Sequence, residues 1–334
     1  MRKFARRPDK DRMDLFRETA RTMGVHAAIV EKDFWVCWML DYLFHLSPFA
    51  ELLVFKGGTS LSKAYGAISR FSEDVDLILD WRSLGYSAYE PWRVLSATKQ
   101  DALSREANSK TGEFLADKFL PALAEDIGRF IGRSASVSIA GQEVIFMYPR
   151  AFALAAIIPQ IKLEIGPLAA WQPNEERKIC CFAAEHFPVF FEKSHTSVRT
   201  TSAERTFWEK VTILHQEAHR GPDKTLPARF SRHYYDLYRL SLLPIADSAL
   251  TSLSLLEEVV QFKTRFYRCS WARYDLARPG SIRLLPPDHH LGELQRDYRA
   301  MQAMLFGIVP DFNEIISSLG NLENRINSLS TTSL

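Results

Sequence analysis

Two aspartates one residue apart, Asp74 and Asp76 in the run Asp74-Val75-Asp76-Leu77-Ile78-Leu79, have the types and spacing to do chemistry. If the run is a strand, alternate side chains share a face. The two carboxylates then stand roughly 7 Å apart at Cα and can converge on one or two hard cations. A structural core has no use for paired like charges, which repel unless a cation offsets them. The complement lies upstream in LLVFKGGTSLSK. The apolar run Leu52–Phe55 reads as a buried strand ending at Lys56. Gly57 and Gly58 break it, and Thr59-Ser60-Leu61-Ser62-Lys63 opens a helix with hydroxyls where an N-terminus takes its caps. A glycine pair lets a phosphate approach the backbone, and the start of a helix directs N–H groups at an anion. Metal and triphosphate would meet in one small space. A glycine turn followed by an unrelated acidic strand end accounts for each part singly, but not for strand, helix and strand together at this spacing. The rival phosphate cradle, a P-loop, requires Gly-x4-Gly-Lys-Ser/Thr, and that spacing is absent.

Carboxylates from more than one strand are needed to hold two cations about 4 Å apart across a reacting phosphorus. The segment Pro159–Gly166 reads as a further strand, with Lys162 and Glu164 on one face and Ile161, Leu163 and Ile165 on the other. Glu164 is the candidate third carboxylate. A surface Lys–Glu alternation on an exposed face is the plainer reading of the same residues.

GGTSLSK, followed after a short gap by RFSEDVDL, resembles the opening motif of the DNA polymerase beta-type nucleotidyltransferases. More narrowly it resembles the AbiEii/AbiGii toxin branch, which includes the MenT-like toxins. The stretch IVEKDFW is similar to an EKD-aromatic segment that precedes the first motif in that family, although by charge alone Glu31, Lys32 and Asp33 read as a solvated first helical turn. TTSAERTFWEKVTILHQEAH resembles the family's third motif, which implies that Lys210 contacts nucleotide phosphates. A lysine point charge near leaving pyrophosphate is chemically sensible. SRHYYDLYRL resembles the fourth motif and matches Asp236 to its aspartate, as a residue orienting either Lys210 or the acceptor. By spacing alone, Arg229, Arg232, His233, Asp236 and Arg239 lie near one helix face and could form an ion-pair row.

The elements that must position these groups follow from pattern. The chain has 334 residues, 46% apolar and 25% charged, with a formal net charge of +2. It fits two lobes or one elaborated domain, and any nucleic-acid surface must come from local clustering. Cys37, Cys180, Cys181 and Cys269 lack C-x-x-C spacing and read as reduced core residues. The N-terminus is basic without a signal peptide's apolar run, and no stretch approaches a membrane span, so a cytoplasmic protein with no membrane partner is expected. Helices are expected over residues 11–24 and 28–46, a loop-like stretch over 81–97, and a helix over 99–133 broken near Pro121. Val137–Ile139 and Val144–Tyr148 read as strands joined at Ala140-Gly141-Gln142. Ser202 is a plausible N-cap for the helix carrying Lys210. Between Phe262 and Arg283 six basic residues stand against one acid, Asp275, interleaved with aromatics. This could be an RNA-stacking surface or a core helix with snorkelling arginines. Ile315, Leu319, Leu322, Ile326 and Leu329 form a helical stripe, and only the last few residues look disordered.

The expected fold class is α+β, a small mixed nucleotidyltransferase-type sheet with flanking helices followed by a helical C-terminal half. The expected domains are 1–50, N-terminal helices packing on the core; 51–200, the nucleotidyltransferase core; and 201–334, a helical domain completing the active site. Gly57, Gly58, Thr59 and Ser60 would hold the triphosphate, with Lys63 as a further contact. Asp74 and Asp76, assisted by Glu164, would hold Mg2+, and Asp74, Asp76, Lys210 and Asp236 form the catalytic set. The resemblance implies a toxin of a bacterial toxin–antitoxin pair of the abortive-infection, phage-defence kind. It would add nucleotides from an NTP to RNA, at the tRNA 3′ end in MenT-like relatives, and a cognate antitoxin would be encoded nearby. The same chemistry on a small molecule or a protein hydroxyl, and a catalytically silent nucleotide-binding module, are the alternatives.

Overall fold

A computed structural model describes residues 1–72, 74–87, 89–132, 134–154, 157–169 and 172–329. The chain divides into two compact units, Met1–Ala64 with Ser72–Thr201, and Tyr65–Phe71 with the chain from Ser202 onward.

The first unit runs α1 (Arg2–Ala5), α2 (Asp9–Met23), α3 (Ala27–His45), β1 (Leu53–Lys56), α4 (Gly57–Lys63), β2 (Asp74–Leu79), α5 (Ala97–Phe114), α6 (Leu120–Phe130), β3 (Ser136–Ala140), β4 (Glu143–Met147), β5 (Ile161–Gly166), β6 (Asn174–Cys180), α7 (Phe182–His186) and β7 (His195–Thr201). The seven strands form one mixed sheet in the order β3-β4-β5-β2-β1-β7-β6. Its centre pairs β1 antiparallel to β2, with β5 parallel to β2 and β7 parallel to β1. Central strands are covered on both faces and therefore read as apolar runs, as Leu53, Val54 and Phe55 do. Helix α3 is buried around its whole circumference, which makes it the core helix of the unit. Trp35 and Trp38 on α3 pack on Phe146 and Tyr148 at the end of the β3–β4 hairpin.

Glu31, Lys32 and Asp33 are not a solvated turn; all three are buried on α3 with dedicated partners. Glu31 accepts from the amides of Ala151 and Phe152, Lys32 donates to the Ile158 carbonyl, and Asp33 accepts from the Phe182 amide. Buried charge persists because each group is paired. The break in the long helix is a π-helical turn, Leu115–Phe119, after which Pro121 occupies the first turn of α6, where its missing N–H costs nothing. The expected end of that helix at Arg133 lies outside the described residues. Strands β6 and β7 were not foreseen. Strand β6, NEERKIC, is a charged edge strand whose composition suppresses the usual signal.

The second unit contains α8 (Ala203–Glu217), α9 (Ser231–Ser241), α10 (Pro244–Leu250), α11 (Leu253–Phe266), α12 (Asp288–Met301) and α13 (Phe312–Asn327). Ser202 caps α8, accepting from the Arg205 amide. Helix α9 has no cap of its own; Asp297 on α12 accepts from the amide and hydroxyl of Ser231 instead. Arg229 lies before α9 at φ 61°, so the expected single face running from Arg229 to Arg239 does not exist. The basic–aromatic stretch after Phe262 is not one helix either. Phe262, Phe266 and Tyr274 are buried, Tyr267 is exposed, and Arg273 pairs with Asp275. The C-terminal stripe buries Ile315, Leu319, Leu322 and Ile326 on α13, and the residues expected to be disordered, 330–334, lie outside the described residues. Among the described residues no helix is long and apolar enough to cross a membrane.

Candidate active site

The glycine turn and the aspartate strand are adjacent because β1 and β2 pair antiparallel, with Lys56 opposite Asp76. Gly57 follows at φ +80°, a conformation side chains rarely adopt. A Cβ at Gly57 would lie 2.8 Å from Asp76 Cγ and nearer still to its Oδ2, so the carboxylate occupies the space a side chain would take. Asp74 and Asp76 are half-buried on one face of β2, while Val75 between them is fully buried on the other.

Thr59 and Ser60 are buried, and their hydroxyls serve the backbone. Thr59 Oγ1 lies 2.5 Å from the Asp74 carbonyl and 2.8 Å from Ser72 Oγ, tying α4 to the start of β2. Ser60 Oγ donates to the Gly57 carbonyl at 2.8 Å. Lys63 is placed differently from the sequence expectation. Its ammonium is buried, 2.6 Å from Asp33 Oδ1 and 4.0 Å from the centroid of Phe182, where it serves as the counter-ion of Asp33. A buried carboxylate on α3 needs that charge, and no periodicity in the sequence links the two.

Strand β5 brings Glu164 opposite Asp76 and Lys162 opposite Asp74, and β4 adds Glu143 opposite Glu164. Burial, and next the facing charge of Asp76, raise the Glu164 carboxyl above its ordinary range. Lys162 Nζ lies 2.8 Å from Glu143 Oε1 and 3.4 Å from Glu164 Oε1. Among the described residues no three His, Cys, Asp or Glu side chains are gathered as a metal-holding group, so Asp74, Asp76 and Glu164 share a face without forming a closed cage.

The second unit holds the other two expected residues. Lys210 on α8 and Asp236 on α9 meet at 2.7 Å, and Asp236 is 0% exposed. Arg70 grips the same carboxylate through Nε at 2.7 Å and Nη2 at 3.0 Å. Lys210 Nζ also lies 3.0 Å from His233 Nδ1. Burial alone would raise the Asp236 carboxyl, but the Arg70 and Lys210 charges outweigh it and hold the group well below the usual carboxylate range. Burial lowers Lys210, with Asp236 opposing and Arg70 reinforcing. Burial and the Lys210 charge keep His233 neutral, so Nδ1 can accept from the ammonium. Fully enclosed, Asp236 orients Lys210 rather than touching an acceptor.

Arg70 and His233 were missed as site residues, as was the Glu143–Lys162 pair. Arg70 stands inside the quoted motif, but nothing local shows that it reaches α9, 166 residues further on. Its segment is fastened to the second unit by backbone bonds from Phe71 to Met304 and from Phe306 to Ser69.

A mixed sheet that sets a diglycine turn against an Asp-x-Asp strand is the arrangement of a nucleotidyltransferase. The chain belongs to the family described as nucleotidyl transferase AbiEii toxin, type IV toxin–antitoxin system, which it matches over residues 40–318. Among solved structures it is similar to MenT4, a nucleotidyltransferase toxin from Mycobacterium tuberculosis. The TM-score is 0.52 at 15% identity, over 95% of this chain and 90% of that one, a likeness of fold. No curated protein matches the sequence significantly.

Proposed function

We propose that this chain transfers nucleotides from an NTP to an RNA acceptor, the 3′ end of tRNA, with a divalent cation, in the cytoplasm. The observation that carries this reading is Gly57, stripped of a side chain where it faces Asp76. That close approach leaves backbone and carboxylate open to a shared ligand, which fits a metal-bound triphosphate. Asp74 and Asp76 would hold Mg2+, with Glu164 beside them, and Gly57-Gly58 with the start of α4 would receive the phosphates. The ion, when bound, would offset charge on the reacting phosphate. A carboxylate oxygen of the aspartate pair takes the proton of the attacking hydroxyl. Thr59 and Ser60 contribute by fixing the turn through their backbone bonds. In the second unit, two cations share one carboxylate, leaving an excess of positive charge at Lys210 that an anionic phosphate would relieve.

The test is incubation of the protein with labelled NTPs, Mg2+ and total cellular RNA. Label in RNA of tRNA size is expected. Label confined to protein or to a small product would move the acceptor to another hydroxyl. No label at all, together with growth inhibition undiminished by Asp76→Ala, would make the chain a nucleotide-binding module. A toxin of this family has an antitoxin partner, and a small neighbouring frame encoding it is the genomic counterpart of the test.

A further inference from the structure

One cation is already built into the carboxylate face of the sheet. Asp76, Glu164 and Glu143 form one row across β2, β5 and β4, and Asp74 and Lys162 face each other in the next. Neighbouring strands are roughly 4.8 Å apart, so three carboxylates in a row repel unless something offsets them. The Lys162 ammonium contacts both Glu143 and Glu164. We propose that Lys162 is an internal counter-ion standing in place of a second divalent cation, holding Glu164 with Glu143 and leaving Asp74 and Asp76 to bind a single ion.

The proposal rests on the reading of Asp74 and Asp76 as the metal and nucleotide site. A divalent ion ligated by Glu164 would sit within a few ångströms of the ammonium, and like charges at that range in a partly buried setting are poorly screened. Lys162 is drawn to the far side of Glu164 by Glu143, an anchor on the next strand that Asp74 and Asp76 do not share. The absence of a gathered three-carboxylate group among the described residues agrees with a Glu164 already committed to lysine. If the pair were only a surface ion bridge on an exposed strand, removing Lys162 would leave the number of bound ions unchanged.

The experiment counts Mn2+ bound to the full-length protein, by calorimetric titration and by the electron paramagnetic resonance signal of free Mn2+. The wild type is expected to bind one ion. Lys162→Met should bind a second at least tenfold more tightly than any second ion in the wild type, whereas Lys162→Arg, which keeps the charge, should still bind one. Lys162→Gln, which retains polarity, repeats the measurement if Lys162→Met does not fold. An unchanged count in the charge-removing variants, or two ions in the wild type, overturns the proposal. Asp76→Asn separates this from the underlying reading. If it keeps the wild-type ion, the aspartate pair is not the metal site. If it loses that ion while Lys162→Met gains none, the role of Lys162 alone fails.

Discussion

Gly57 and Asp76 occupy one another's space: the position a Cβ would take on the glycine is filled by the aspartate carboxylate. The antiparallel register of β1 and β2 enforces this, because Lys56, the residue before Gly57, is paired with Asp76. Turn geometry and acidic ligand are therefore one feature, and a change at either residue is felt at the other.

Gly57→Ala should be damaging on two grounds, the positive φ and the collision with Asp76. A loss of roughly 1–3 kcal/mol in stability is expected, with nucleotide transfer abolished. Thermal melting and label transfer measured on the same preparation check both. Full activity in this variant would mean that Asp76 can move aside without consequence.

Asp76→Asn should separate chemistry from folding. The substitution removes a charge that helps to raise the Glu164 carboxyl, so the melting temperature should hold or rise while transfer falls by about 100-fold or more. Retained transfer would remove Asp76 from the reaction.

Lys210→Met and Asp236→Asn should differ in kind. With Lys210 gone, Asp236 still has Arg70 in a two-point grip, so the fold should survive while transfer is lost. With Asp236 neutralised, two buried cations face each other, and a cost of roughly 3–5 kcal/mol is expected. Chemical denaturation of both variants distinguishes the two roles, and equal stability losses would contradict the arrangement.

Lys63 tests a structural assignment. Lys63→Met should strand Asp33 as an uncompensated buried charge and cost roughly 3–5 kcal/mol, while the double variant with Asp33→Asn should recover most of it. If Lys63 serves only Asp33, the double variant should retain the wild-type KM for NTP. A KM raised tenfold would return Lys63 to the phosphates.

Acid should weaken the second unit through His215. Its Nδ1 accepts from the Arg283 amide while Nε2 donates to the Arg273 carbonyl, which requires the neutral ring. Burial, opposed by the Arg273 bond, lowers the group from 6.5 to about 4. The unfolded chain therefore takes the proton first as pH falls. Stability is fully present above pH 6.5 and is lost between 6.5 and 4, by on the order of 3 kcal/mol. Denaturant melts across that window should show the slope, and His215→Gln should flatten it at the expense of lower stability at pH 7.

By itself the sequence determined the strand, diglycine turn, helix and aspartate strand, because each depends on contacts within a few residues: alternation along β2, a turn at Gly57, hydroxyls at the start of α4. The cap at Ser202 was legible for the same reason. What only the tertiary structure decided concerns charges whose partners are distant in the chain. Burial of Glu31, Lys32 and Asp33, the capture of Lys63 by Asp33, the grip of Arg70 on Asp236 and the start of α9 at Asp297 all depend on groups 30 to 166 residues away. A charged residue reads as solvated until something removes its water. That removal is the work of the packed core, and the pattern along the chain carries no record of which opposite charge will be waiting there.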